Sequence, residues 1–117
     1  MPNYERIEVN DVDGVTLVRF VQRKVVDAEA ISLLGDELFG LVEGKRGVKL
    51  LLNLEQVEFL SSAALNKLIV LDQKIKAAEG TLKLCGLRPE ITEVFVITRL
   101  NQLFDIRDET TAAIASF

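Results

Sequence analysis

Residues 48–65 read Val48-Lys49-Leu50-Leu51-Leu52-Asn53-Leu54-Glu55-Gln56-Val57-Glu58-Phe59-Leu60-Ser61-Ser62-Ala63-Ala64-Leu65. The part over 48–54 is short and almost continuously apolar, the pattern of a strand buried on both faces of a parallel sheet. A short loop follows, and then two serines stand where a helix begins, since Ser is among the favoured N-cap residues. Beyond them Ala64, Leu68, Leu71, Ile75 and Ala78 recur on one helical face, with Lys67, Lys74 and Lys76 directed elsewhere, until Gly80 ends the pattern. A buried strand feeding a helix of this kind predicts a crossover to a parallel neighbour, supplied by the apolar residues at 81–85.

The rest of the chain extends the same alternation outward. Toward the N-terminus, 6–10 and 14–21 predict a hairpin around Asp11-Val12-Asp13-Gly14, and Asp27 caps a helix over 28–43 with Ile31, Leu34, Leu38 and Leu41 at helical spacing. Toward the C-terminus, Pro89 opens a helix sharing Ile91, Val94, Phe95 and Thr98 on one face. Residues 104–107 predict a last short strand, and Asp108 caps a terminal helix reaching about residue 116. The expected architecture is an α/β domain with a mostly parallel sheet of about five strands, opened by a hairpin and layered with about four helices.

Composition narrows what such a domain does. The 117 residues predict one domain over 1–117, and 49% hydrophobic with 27% charged residues is the balance of a folded chain. Fourteen Lys and Arg against 18 Asp and Glu leave a net charge of −4, so no nucleic-acid partner is expected. The absence of His removes the usual general base, the usual activator of a nucleophile and the commonest metal ligand. No metal or cofactor is expected, and Cys85, a lone cysteine late in a buried strand, reads as a small core residue. No apolar run approaches the roughly 20 residues that span a bilayer, and Met1-Pro2-Asn3-Tyr4-Glu5-Arg6 lacks the pattern of a secretory signal. A cytoplasmic chain without membrane insertion is expected.

The chemistry concentrates at Ser61 and Ser62. They stand at the carboxyl edge of the predicted sheet, where open α/β folds meet ligands and partners and where a helix N-terminus offers free N–H groups. Capping uses one serine and leaves the other to be explained. A phosphate on a first-turn serine would be stabilised there and would add about −1.5 to −2 charge to the surface. The pair Phe59-Leu60 just before the serines reads either as an exposed contact surface or as a hydrophobic staple into the core. Glu55, Glu58 and Asp72 read as solvated or loop carboxylates rather than an acid/base pair.

These residues resemble the signature of the STAS domain family, in particular its stand-alone bacterial anti-sigma factor antagonists. In that family an apolar strand ending Leu-Asp/Asn-Leu leads into Asp-Ser-Ser/Thr-Gly-Leu at a helix head. The likeness continues through Gly80-Thr81-Leu82-Lys83-Leu84-Cys85-Gly86-Leu87 and Pro89 to Leu100-Asn101-Gln102-Leu103-Phe104-Asp105-Ile106. The resemblance implies a non-enzymatic partner switch: an anti-sigma factor serine kinase binds the unphosphorylated antagonist and phosphorylates it, and a phosphatase resets it. It implies Ser62 as phosphoacceptor, with Ser61 as the alternative, and a partner-binding set of Asn53, Phe59, Leu60, Ser61, Ala63, Ala64 and Lys67. Ser61 stands at the motif's Asp, Ala64 at its Gly, and Asn66 at the following Gly. A second reading keeps the fold but makes the chain a STAS subunit of a larger assembly, such as a lipid-transport ATPase complex. A third, a hydrolase or transferase using Ser62 as nucleophile, lacks both His and a Gly-rich cradle.

Overall fold

The computed structural model describes residues 6–117, so the reading of residues 1–5 lies outside the described residues. Its elements run β1 (Ile7–Val12), β2 (Val15–Phe20), β3 (Lys24–Val25), α1 (Ala28–Gly40), β4 (Lys49–Asn53), β5 (Phe59–Leu60), α2 (Ser62–Ala77), β6 (Thr81–Cys85), α3 (Pro89–Ile97), a 3-10 turn (Leu100–Gln102), β7 (Asp105–Arg107) and α4 (Thr110–Ala115). Five strands form one sheet in the order β1-β2-β4-β6-β7, antiparallel at the β1–β2 hairpin and parallel at the other three pairings. The apolar strand β4 therefore lies at the centre, as its composition predicts.

Alternation along β4 sorts the two faces of the sheet. Leu50 and Leu52 join Leu82, Leu84 and the inward residues of α1, α2 and α3 in one large core cluster. Leu51 points the other way, into a small cluster with Val15, Cys85 and Ala113 of α4. Three helices thus cover one face, while the six-residue α4 covers part of the other.

Several boundaries differ from expectation, each for a local reason. The hairpin turn is narrower than the four residues 11–14, because Val12 still pairs with Val15 and only Asp13 and Gly14 turn, at φ 53° and 81°. Asp-Gly is the pair that tolerates positive φ at both positions of such a turn. Helix α1 stops at Gly40 rather than 43, and Leu41 and Val42 fold back into the core instead. Asp27 caps α1 as expected, accepting from the Ala30 N–H at 3.1 Å. At the end of α2 it is Glu79, at φ 59°, that takes the left-handed position. Gly80 serves close packing there: a Cβ on it would lie 2.6 Å from the Val48 carbonyl oxygen. Helix α4 is preceded by Glu109 rather than capped by Asp108, and Glu109 makes no capping bond with its side chain.

Candidate functional site

The loop 54–61 leaves the centre of the sheet and is fastened on three sides. Leu54 N–H donates to the Cys85 carbonyl at 3.0 Å, which ties its start to β6, and Arg88 Nε donates to the Glu55 carbonyl at 3.0 Å from the entrance of α3. Farther along, Glu58 and Phe59 N–H both donate to the Arg23 carbonyl, and Ser61 N–H donates to Val25 at 3.0 Å. These last bonds belong to a two-residue parallel ladder, β3 on β5, with Lys24 opposite Phe59 and Val25 opposite Leu60. Strand alternation then turns Val25 and Leu60 inward and leaves Phe59 and Val26 outward, both 50% exposed.

The ladder divides the Phe59-Leu60 pair, which corrects the expectation of a jointly exposed surface. Phe59 is half exposed, whereas Leu60 is 6% exposed and lies in the core cluster that also holds Leu65. These are the N′ and N4 positions of a hydrophobic staple, which fixes the angle at which the chain enters α2.

The two serines are divided as well. Ser61 is the N-cap of α2, with its Oγ accepting from the Ala64 N–H at 3.2 Å. Ser62 is the first helical residue and exposed, and its hydroxyl has no hydrogen-bond partner among the described residues. Ala63 is exposed beside it, while Ala64 is 2% exposed and faces the core. Lys67 leans away toward α1: its stem fills the space left by Gly35, where a Cβ would lie 2.9 Å from Lys67 Cδ, and its ammonium sits 5.7 Å above the Phe39 ring. That is packing plus a cation–π contact, and it commits Lys67 to the helix–helix seam.

Asn53 also departs from expectation. It is 2% exposed at the end of β4, and both ends of its amide are used inside the fold. Its Oδ1 accepts from the Glu55 N–H at 2.8 Å and its Nδ2 donates to Thr110 Oγ1 at 2.9 Å. Asn53, Leu60 and Ala64 therefore present no side-chain surface to another protein, because burial that completes the core and the sheet edge has already used them. The outward set is Phe59, Ser62 and Ala63, joined by Val26, which sequence reasoning missed. The only signal for Val26 was its position just before the Asp27 cap, and a two-residue strand has too short a pattern to declare itself.

Elsewhere, Asp72 is not solvated as expected. It is 4% exposed on α2 and pairs with Lys76 at 2.9 Å, one helical turn on. Burial pushes the Cys85 thiol up, against the opposing effect of its contact with Thr110, in keeping with a core residue. Among the described residues no group of three or more Cys, Asp or Glu side chains is placed to hold a metal ion, and no helix is long and apolar enough to cross a membrane.

The chain is 29% identical over 112 residues to BtrV of Bordetella bronchiseptica, a candidate anti-sigma factor antagonist, covering 96% of this chain and 94% of that one. Its fold is similar to that of an anti-sigma-factor antagonist domain protein from Planctomyces limnophilus, with a TM-score of 0.81 at 24% identity over 93% of this chain and 95% of the other. It is also similar to the Bacillus cell fate determinant SpoIIAA in its phosphorylated form, with a TM-score of 0.69 at 16% identity over 95% and 99% of the two chains. The STAS domain model matches residues 6–113, nearly the whole sequence. The chain belongs to the STAS domain family.

Proposed function

We propose that this chain is an anti-sigma factor antagonist that works by partner switching in the cytoplasm, with Ser62 as its phosphoacceptor and no catalysis of its own. The observation that carries the reading is the division of labour between the serines: Ser61 Oγ is occupied in capping α2, whereas Ser62 Oγ is exposed and unpartnered among the described residues. A kinase needs a hydroxyl that it can reach without dismantling a helix cap. Ser62 meets that need and Ser61 does not.

The physics of the product follows from position. A phosphate on the first residue of α2 lies beside N–H groups that have no carbonyl partner one turn earlier, and at the positive end of the helix dipole. It is stabilised without a dedicated arginine. Seen from outside, the same phosphate places about two negative charges next to the apolar surface of Phe59 and Val26. A partner that desolvates those two side chains meets a strongly hydrated dianion beside them, so binding weakens while the domain stays folded. The likeness to SpoIIAA, solved in a phosphorylated form, and to BtrV supports the reading. An anti-sigma factor serine kinase supplies the ATP and the base, and a phosphatase removes the group.

The test is incubation with ATP and the cognate anti-sigma factor kinase, with the modified residue located by fragmentation mass spectrometry. The expected outcome is one phosphate on Ser62 in the wild type, none in Ser62→Ala, and retained modification in Ser61→Ala. Phosphate on Ser61, or undiminished modification of Ser62→Ala, contradicts the assignment.

A further inference from the structure

We infer that Thr110 and Asn53 form a latch through which the C-terminal helix α4 sets the conformation of the loop leading to Ser62. The inference deepens the proposed function by naming what controls that site. The hydrogen-bond direction is fixed by chemistry: a backbone N–H only donates, so the atom of Asn53 that meets Glu55 N–H at 2.8 Å must be the carbonyl oxygen. The NH2 end is thereby turned toward α4, where Thr110 Oγ1 accepts from it at 2.9 Å. Thr110 Oγ1 also lies 3.6 Å from Cys85 Sγ, so the hydroxyl bridges the ends of β4 and β6.

The surroundings are shaped to this amide. Asn53 is 2% exposed, so water cannot readily replace Thr110 as acceptor. Gly86, at φ 69°, passes so close that a Cβ on it would stand 3.1 Å from Asn53 Oδ1. From Asn53 the connection to the site is short. Glu55 N–H is held by Asn53, its carbonyl by Arg88, and Val57 N–H closes a turn on the Leu54 carbonyl at 2.9 Å, two residues before Phe59. Thr110 and Asn53 are positioning residues: neither meets a partner, and both set where Phe59 and Ser62 stand.

The experiment is residue-resolved amide hydrogen exchange on the full chain, comparing wild type, Thr110→Val, Thr110→Ser and Ser116→Ala. Thr110→Val keeps the shape and removes the acceptor, so exchange at the Glu55 and Val57 amides is expected to rise about tenfold. Thr110→Ser restores the acceptor and is expected to return those amides to wild-type protection. Ser116→Ala cuts one of the Lys83 bonds at the far end of α4 and is expected to leave them unchanged. Faster exchange confined to α4 in Thr110→Val, or equal loosening by Ser116→Ala, overturns the latch. Should Thr110→Val fail to fold, the wild type decides: under mild denaturant the Glu55 and Ala113 amides are expected to open together, and separate openings overturn the inference. None of these readouts involves a kinase, so a negative result here is distinct from a failure of Ser62 to be phosphorylated.

Discussion

The sheet face beneath α1, α2 and α3 buries Leu50, Leu52, Leu82 and Leu84 in one large apolar cluster, whereas among the described residues the apolar cluster between the other face and α4 is small, with Val15, Leu51 and Cys85 from the sheet and Ala113 from α4 fully buried. On that second side, directed polar contacts make up for thin packing. Asn53 holds the start of α4 through Thr110, and Lys83 holds its end, donating to the Ser116 carbonyl at 2.8 Å and to Ser116 Oγ at 2.9 Å. Lys83 is only 6% exposed, yet its ammonium is fully engaged: it also pairs with Asp105 at 3.2 Å and lies 5.1 Å from the Phe117 ring centre. The difference teaches how a small domain divides its tasks. Non-directional burial anchors the helices that must not move, including the body of α2, while oriented hydrogen bonds on the other face fix the geometry of the loop that presents Ser62.

The sharpest way to break that contrast is to cut the same side chain on either face. Leu52→Ala removes a fully buried leucine from beneath three helices and is expected to cost about 3–4 kcal/mol, because that layer closes poorly around a cavity. Leu51→Ala faces the six-residue α4, in a small cluster with few neighbouring side chains to lose contact with, and is expected to cost about 2 kcal/mol. Urea unfolding of both variants measures the difference, and equal losses would show that the two faces are packed alike.

A smaller effect separates the serines on the anchored side. Ser61→Ala removes the oxygen that accepts from Ala64 N–H and is expected to lower stability by about 1 kcal/mol, the usual worth of an N-cap. Ser62→Ala removes an unpartnered hydroxyl and is expected to stay within about 0.5 kcal/mol of the wild type. Thermal unfolding of the two variants tests the division of labour; a larger loss in Ser62→Ala would reverse it.

The smallest effect belongs to the polar side. The hydrogen bond from the Arg107 guanidinium holds the Asp105 carboxyl below its ordinary value; burial opposes it, and Lys83 adds further lowering through its own hydrogen bond and charge. A carboxylate whose folded value is depressed contributes stability above its unfolded value, near 3.9, and loses it as pH falls through the lower folded value. Asp105 is well exposed, so solvent and salt reduce the contribution to about 0.5 kcal/mol or less. Stability measured from pH 5 downward is expected to fall less steeply in Asp105→Asn than in the wild type, and identical slopes would remove Asp105 from the account.

The order of strands and helices was legible because each main element carries its own period: the apolar run of β4, the helical spacing of α2, and the Asp13-Gly14 turn. The serines were legible as a pair but not as a divided pair, since adjacent identical residues differ only in where the cap falls. The ladder of β3 on β5 joins residues 35 apart through two residues from each strand, too few for a pattern, and so the burial of Leu60 and the exposure of Val26 stayed hidden. Asn53 and Lys83 were hidden for another reason. A polar residue in an apolar strand announces that it needs a partner, but its partners Thr110 and Ser116 lie on a helix far along the chain, and only the folded sheet brings them together.

The central claim is that charge on Ser62, and not a change of fold, governs partner binding. The direct measurement is the affinity of the anti-sigma kinase for wild type, Ser62→Ala and Ser62→Asp, with thermal unfolding recorded for each. The account predicts near-native affinity for Ser62→Ala and at least tenfold weaker binding for Ser62→Asp, about 1.4 kcal/mol, at unchanged stability. Equal affinity of Ser62→Asp and wild type for the kinase would contradict it.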